Sequence, residues 1–465
     1  MDDSNKKRKF EKGFVKIVVH AGIFALVFVL IASFLGLLFT YPTFVRLTMH
    51  ELRNKSESID MVFIGASRSY RGFSPEVFDE ELGLTTFTAA SSGQGVVDSY
   101  YILREVYRYH SPEVVVIDVS RNRLSTTNIM LKSEAIFDNY TWSFDKLRYL
   151  NDAFPPKRYL GAIFPGLRYE SINPITKDRL YRAITTKLSA DYWTYSSAQM
   201  ASASELYAGR GFVYSYQIYD DSKMMKGWHE QGMWDDSIAH NEAVEYFRKM
   251  VELCRKNGST PIFITLPSSM PQMGRFTNYD KYHEFVNELA NDFNVPFFDF
   301  GLVRHSVFER TNAFFKDASH LNGPGATEFS RVASQVISQY LEGILDYNRY
   351  FYSSYKELLD DSPFVLGTWV DPTDGGFLAD AYVGTGIELE FEFWYKKLDE
   401  DEFVMFRSYS TDSFTEYPPI EDTEYRLRVN ARTKGTDVDF EQFYVLEVTP
   451  RKLESSGGFD DFADE

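Results

Sequence analysis

Cysteine is almost absent from this chain: Cys254 is the only one in 465 residues. An intramolecular disulfide is therefore excluded, and the fold must be held by its core alone. Positive charge is also scarce, with 49 Lys and Arg against 67 Asp and Glu, a formal net charge of −18. That balance argues against nucleic acid as a partner and against broad contact with anionic headgroups. It also repels a polyanionic wall polymer unless local basic patches or cations offset it. No His and Cys cluster has the spacing of a metal site, and no Gly-rich fingerprint of a dinucleotide or phosphate loop occurs. Neither a metal nor a cofactor is expected. The chain shows no sustained internal repeat.

Long apolar runs are missing too, with one exception. Ala21 to Phe39 is almost unbroken in its hydrophobicity, nearly enough at about 1.5 Å per residue to span a hydrocarbon layer of roughly 30 Å. Lys6-Lys7-Arg8-Lys9, Lys12 and Lys16 precede it, and little charge follows directly. The positive-inside rule then keeps the N-terminus cytoplasmic and sends everything after about Tyr41 outside. A cleaved signal peptide is the rival reading, but its apolar core is normally about 7–15 residues and ends in a small-x-small site. Phe39-Thr40-Tyr41-Pro42 is a poor one. The expectation is an uncleaved, single-pass anchor in the cell membrane. With 44% hydrophobic residues, the remainder is globular and long enough for two or three domains.

Periodicity divides that remainder. Short apolar runs at Met61 to Ile64, Thr85 to Ala89, Val114 to Val119, Pro261 to Leu266 and Pro296 to Phe300 read as strands. Amphipathic stretches near Pro75 to Leu82, Asp98 to Tyr109, Asn241 to Lys256, Tyr279 to Phe293 and Gly323 to Leu345 read as helices. Such alternation predicts a parallel sheet with helices on both faces. Residues 125–238 break the pattern and are rich in aromatics, among them Trp142, Tyr149, Phe154, Tyr159, Phe164, Tyr169, Tyr192, Trp193, Tyr195, Tyr207, Trp228 and Trp234. Most of these rings are expected in the core, although exposed ones suit stacking on sugars. Arg168, Lys177 and Arg179 read as solvated basic residues. Beyond Tyr350 the pattern alternates with period two, as in Ile387 to Phe393 and Tyr425 to Val429, which predicts half-buried antiparallel strands. The expected organisation is a basic tail at 1–16, the anchor at 17–41, an α/β domain at 57–124 and 239–346 with the insertion at 125–238, a β-sandwich-like domain at 360–452, and an acidic disordered tail at 453–465.

Two phrases carry the chemistry. Gly65-Ala66-Ser67-Arg68-Ser69 follows the first strand, where doubly wound sheets place ligands, and about 250 residues later comes Asp317-Ala318-Ser319-His320. A serine hydroxyl is a weak nucleophile until a base takes its proton. Histidine does so at neutral pH, and a carboxylate fixes its tautomer. By themselves the residues have plainer readings: a serine after a strand is commonly a helix cap, and Asp and His three apart commonly decorate a surface turn or begin a metal site. Cys254, on an apolar helix stripe, reads as core.

Their order resembles the SGNH (GDSL-type) hydrolases, in particular a membrane-anchored bacterial branch that includes polysaccharide O-acyltransferases and esterases and the D-alanyl-transfer protein of the teichoic-acid pathway. The match runs from about Ser58 to Leu345. It implies a flavodoxin-like three-layer α/β/α domain, here with one N-terminal transmembrane helix and a small C-terminal all-β domain. It also implies Ser67, Asp317 and His320 as a catalytic triad. Ser91-Ser92-Gly93-Gln94-Gly95 resembles the second family block, so the amides of Ser67 and Gly93 would form the oxyanion hole. The third block, Gly-x-Asn-Asp, is missing, and Asn122 or Arg121 would supply the remaining donor. The first block has Ala66 where Asp is usual, a position often small in anchored relatives.

The resemblance implies serine-dependent cleavage or transfer of acyl groups, acetyl above all, on a cell-surface glycan or wall polymer, in the second case beside a multispanning acyl-exporting partner. The alternative is a noncatalytic, anchored glycan-binding or assembly protein on the same scaffold.

Overall fold

The computed structural model describes residues 2–127, 130–168, 176–220, 234–274, 276, 278–362, 365, 367–383, 387–420 and 423–449. Tyr169, Trp228 and the acidic tail at 453–465 lie outside them.

Five short strands form one parallel sheet. They are β1 (Met61–Gly65), β2 (Thr86–Ala90), β3 (Val114–Asp118) and, after a hairpin of β4 (Glu205–Gly209) and β5 (Phe212–Ser215), β6 (Thr260–Thr265) and β7 (Phe297–Asp299). Their order is β2-β1-β3-β6-β7, and every pairing is parallel. Side chains of a strand alternate between its faces, and here they feed two separate cores. Val62, Ile64, Val115, Ile117 and Phe263 enter one cluster with the helices Val96–Tyr109, Asn241–Lys256 and Tyr279–Phe293. Met61, Phe63, Val114, Val116, Ile262 and Ile264 enter the other, under Pro75–Leu82 and Gly323–Leu341. Burial on both faces is why these strands read as continuous apolar runs. The helix Asn241–Lys256 buries the stripe Ala243, Tyr246, Phe247, Met250, Val251 and Cys254, and burial pushes the Cys254 thiol up to about 12. The architecture is the three-layer α/β/α class expected from the sequence.

The segment between β3 and Asn241 is not a separate lobe. Phe137, Tyr149, Phe154 and Trp234 join the first sheet cluster, so much of its aromatic content is core. Trp142 and Trp193, by contrast, are 61% and 56% exposed. Arg168 is corrected: it is not solvated but holds Asp138 through two hydrogen bonds of 2.9 and 2.6 Å. The β4–β5 hairpin was not anticipated. Its turn reaches the edge of the sheet, where the Thr88 amide donates to the Arg210 carbonyl at 2.9 Å. Gly211 makes this approach possible: its φ is +79°, and a Cβ there would lie 1.8 Å from the Thr88 carbonyl oxygen.

The first helix, Asp2–Phe39, has 38 residues and so is about 57 Å long. Gly13–Phe39 within it, whose most apolar 18-residue window has mean hydropathy 2.8, is long and apolar enough to cross a membrane or to serve as a signal sequence. Its end packs closely on the turn Pro165–Leu167, where a Cβ on Gly166 would lie 2.5 Å from the Gly36 nitrogen. A second helix, Phe44–Asn54, follows at once, with the Thr43 hydroxyl accepting from the Arg46 amide at 3.2 Å.

The C-terminal part is all antiparallel. β8 (Gly367–Thr373), β9 (Gly376–Tyr382) and β12 (Phe414–Glu416) make one sheet, and β10 (Leu389–Lys397), β11 (Val404–Ser410), β13 (Tyr425–Thr433) and β14 (Gln442–Val448) make another. Alternate residues of both sheets, including Val370, Phe377, Phe393, Leu427 and Val429, close a third core.

Candidate active site

The carboxyl ends of β1, β3 and β6 converge on a cavity of about 460 Å³, the crevice where open α/β sheets take ligands. Ser67 stands there as the first residue of a six-residue helix, Ser67–Gly72, two positions beyond β1. The preceding Gly65 is a steric necessity. A Cβ on it would lie 1.8 Å from Ser69 Oγ and 2.9 Å from Asp118 Cβ.

The loop that carries Asp317 and His320 is folded by its own hydrogen bonds. Phe315 and Leu321 form an isolated antiparallel bridge, and the Lys316 amide donates to the His320 carbonyl at 2.9 Å. Inside that closure, Asp317 Oδ1 accepts the backbone amides of Ser319 and His320, each at 3.0 Å. This Asx-type turn brings a carboxylate back over a ring three residues on. Asn322 ends the loop as the cap of Gly323–Leu341, its Oδ1 accepting from the Gly325 amide at 3.0 Å. The Ser269 amide and hydroxyl, at 3.1 and 2.8 Å, both donate to the Ala318 carbonyl and tie the loop to the end of β6.

His320 Nε2 lies 2.7 Å from Ser67 Oγ, and its Nδ1 lies 2.8 and 3.0 Å from the two Asp317 oxygens. Burial alone would push the Asp317 carboxyl up. The His320 hydrogen bond and charge, with the two backbone amides, hold it well below the usual carboxylate range. Asp317 is thus an anion on Nδ1, which leaves Nε2 free of its proton when the ring is neutral and able to take one from Ser67.

The structure brings Ser67, Asn122 and His320 to the wall of one cavity, with Arg121 beside Asn122. Gly93 is not part of that wall; it lies on the loop after β2, with φ +63°. Sequence reasoning missed three contributors. Asp118, buried at the end of β3, lines the cavity, accepts the Ser120 amide at 2.9 Å and meets Ser69 Oγ at 3.4 Å. Arg68 bridges β1 to β6 through the Leu266 carbonyl, at 2.5 Å, and Ser268 Oγ, at 3.0 Å. Glu205, on β4, accepts from Arg71 at 2.8 Å and from Lys316 at 2.6 Å, joining the serine helix to the histidine loop. The signal for Asp118 was present, a lone carboxylate closing the β-branched run Val114–Asp118. Glu205 had none, since its partners lie more than 100 residues away in sequence.

No family model and no curated protein matches the chain. Among solved structures it is similar to a GDSL-like lipase from Bacteroides thetaiotaomicron, with 12% identity over 65% of this chain and 100% of the other, at a TM-score of 0.30. It is similar also to a psychrotrophic esterase from Pseudoalteromonas sp., with 10% identity over 61% and 98%, at a TM-score of 0.28.

Proposed function

We propose that the chain is a membrane-anchored, extracytoplasmic serine esterase or O-acyltransferase that acts on acyl esters, acetyl above all, of a cell-surface polysaccharide or wall polymer. The observation that carries this reading is the unbroken relay from Ser67 Oγ through His320 to Asp317. In the reaction, His320 Nε2 takes the hydroxyl proton as Ser67 Oγ attacks the acyl carbonyl. The tetrahedral oxyanion collapses, the ester C–O bond breaks, and the departing alcohol leaves with the proton from His320. Water or a second hydroxyl, deprotonated by His320, then attacks the acyl-serine and restores Ser67. Asp317 stabilises the imidazolium in both halves. The amides of Ser67 and Gly93 and the Asn122 side chain are the proposed oxyanion donors, each contributing on the order of 3–4 kcal/mol; Ser67 and Asn122 line the cavity.

The long apolar helix supports the anchor, and the basic residues before it support a cytoplasmic N-terminus. With one such helix among the described residues, transfer from a cytoplasmic acyl donor would need a multispanning partner; hydrolysis would not. The alternative, a noncatalytic assembly or glycan-binding protein, draws on the missing third block. A fluorophosphonate probe and an aryl acetate separate the two. Wild-type protein is expected to label and to hydrolyse the ester, and Ser67→Ala to lose labelling and slow turnover by on the order of 10⁴-fold or more. An unlabelled wild type would leave the binding protein.

A further inference from the structure

A cavity of about 610 Å³, larger than the one at Ser67, lies at the outer end of the apolar helix, between Ser33, Gly36 and Leu37 on one side and Arg46, Tyr192 and Trp193 on the other. Arg46 is only 6% exposed. Its guanidinium lies 4.0 and 3.9 Å from the ring centroids of Tyr192 and Tyr195, and Nη2 donates to the Tyr192 carbonyl at 2.9 Å. Nη1 has no hydrogen-bond partner among the described residues. A buried cation with an unused donor is costly unless an anion or water satisfies it. The one carboxylate in the wall, Asp138, is already engaged by both nitrogens of Arg168. A second cation stands behind Tyr192: Lys187 Nζ lies 3.4 Å from that ring's centroid and donates to the Thr40 carbonyl.

We propose that this cavity binds the phosphate of a membrane phospholipid, held by the guanidinium of Arg46, which lines it, with the acyl chains running along the Ser33–Leu37 face of the apolar helix. Phosphate and guanidinium match in charge and in geometry. A lipid rather than a free anion fits because Ser33, Gly36 and Leu37 of the wall belong to a helix that is apolar enough to lie in hydrocarbon. Trp142 and Trp193, the exposed tryptophans noted above, line the same cavity, and tryptophans of this kind collect at headgroup level. On the nearby helix Lys177–Leu188, Tyr181 and Leu188 are 70% and 80% exposed, an apolar surface suited to the same layer. Burial, and then the charge of Arg46, lowers the Lys187 ammonium to about 8, a strain that a bound anion relieves. The chain's overall negative charge opposes broad contact with anionic lipid, so a single recessed cation selects one molecule where a basic surface would gather many.

The proposal rests on the helix lying in a membrane and is independent of the role given to Ser67. Full-length protein is extracted from mixed phosphatidylcholine and phosphatidylglycerol vesicles into mild detergent, and the phospholipid that stays bound is counted by native mass spectrometry. Wild type is expected to retain a phospholipid, Arg46→Gln to lower retention about tenfold, and Arg46→Lys, which keeps the charge without the planar fork, to lower it less. Because Arg46 also packs between two rings, Ser33→Trp is the second variant: it fills the cavity, leaves the charge in place and is expected to lower retention as well. Glycerol phosphate, which has the anion without the chains, is expected not to displace the lipid. Wild type without bound lipid would overturn the proposal, as would Arg46→Gln and Ser33→Trp proteins that unfold at the wild-type temperature and retain lipid as wild type does. Displacement by glycerol phosphate would assign the cavity to a soluble anion instead. None of these outcomes bears on fluorophosphonate labelling, so the two readings fail separately.

Discussion

At the scale of single residues, the Asp317 carboxylate does two jobs that substitution separates. Asparagine at this position still accepts the Ser319 and His320 amides and keeps the turn, but its amide offers His320 Nδ1 no charge. Asp317→Asn is therefore expected to fold and to lose on the order of 10³–10⁴-fold in ester turnover, measured as kcat on an aryl acetate. The same carboxyl leaves a signature in stability. Its folded pKa lies below the unfolded value of about 3.9, so its contribution is present above about pH 4 and fades as pH falls further. Urea midpoints of wild type and Asp317→Asn, measured at successive pH values, should converge as pH falls below about 4. That Ser67, Asp317 and His320 come within hydrogen-bond reach of one another was legible from their order along the chain and the family it resembles. Asp118 and Arg68 were not, because a carboxylate at a strand end and an arginine after a serine have many plainer uses. Only neighbouring strands disclose theirs.

Among elements, the β4–β5 hairpin fastens the two loops that meet at Ser67. Glu205 takes Arg71 from one and Lys316 from the other, and Tyr214 packs where a side chain on Gly323 would otherwise stand, 2.0 Å from its ring. Burial alone would raise the Glu205 carboxyl, but Lys316 and Arg71 hold it below its ordinary value. Glu205→Gln is expected to destabilise the protein by about 1–3 kcal/mol in urea melts and to slow fluorophosphonate labelling, since it loosens the distance from Ser67 to His320 without touching either. Helices with a clean apolar stripe, such as Asn241–Lys256, could be bounded from sequence to within a residue or two. The hairpin could not. Its alternation is short and interrupted by Gly209-Arg210-Gly211, and its register is set by contact with β2 and the histidine loop, information that local periodicity does not hold.

For the molecule as a whole, the two sheet cores contain no residue before Val45. Removing residues 1–40 should therefore leave a folded protein whose unfolding temperature shifts by no more than roughly 2–4 °C and which still labels at Ser67, as differential scanning calorimetry and the probe would record. A larger fall would mean that the packing of Gly36 on Gly166 stabilises more than the join. The layered architecture was readable because apolar runs alternate with amphipathic ones over most of its length, and the all-β end because its strands alternate in twos. The attachment of the first helix was not. It depends on two glycines and a proline turn far apart in sequence, none of which departs from ordinary loop composition.

That attachment bears on reach. Only four residues, Thr40–Thr43, lie between the end of the first helix and the start of the second, and Lys187 holds the carbonyl of Thr40. A domain on a slack leader sweeps a hemisphere and meets its target wherever the target drifts. One whose stalk is bolted at the collar keeps its mouth at one altitude and one bearing; under the function proposed above, a polymer would then have to be delivered to it, and the spacing of modified units along a strand would record how that strand is fed past.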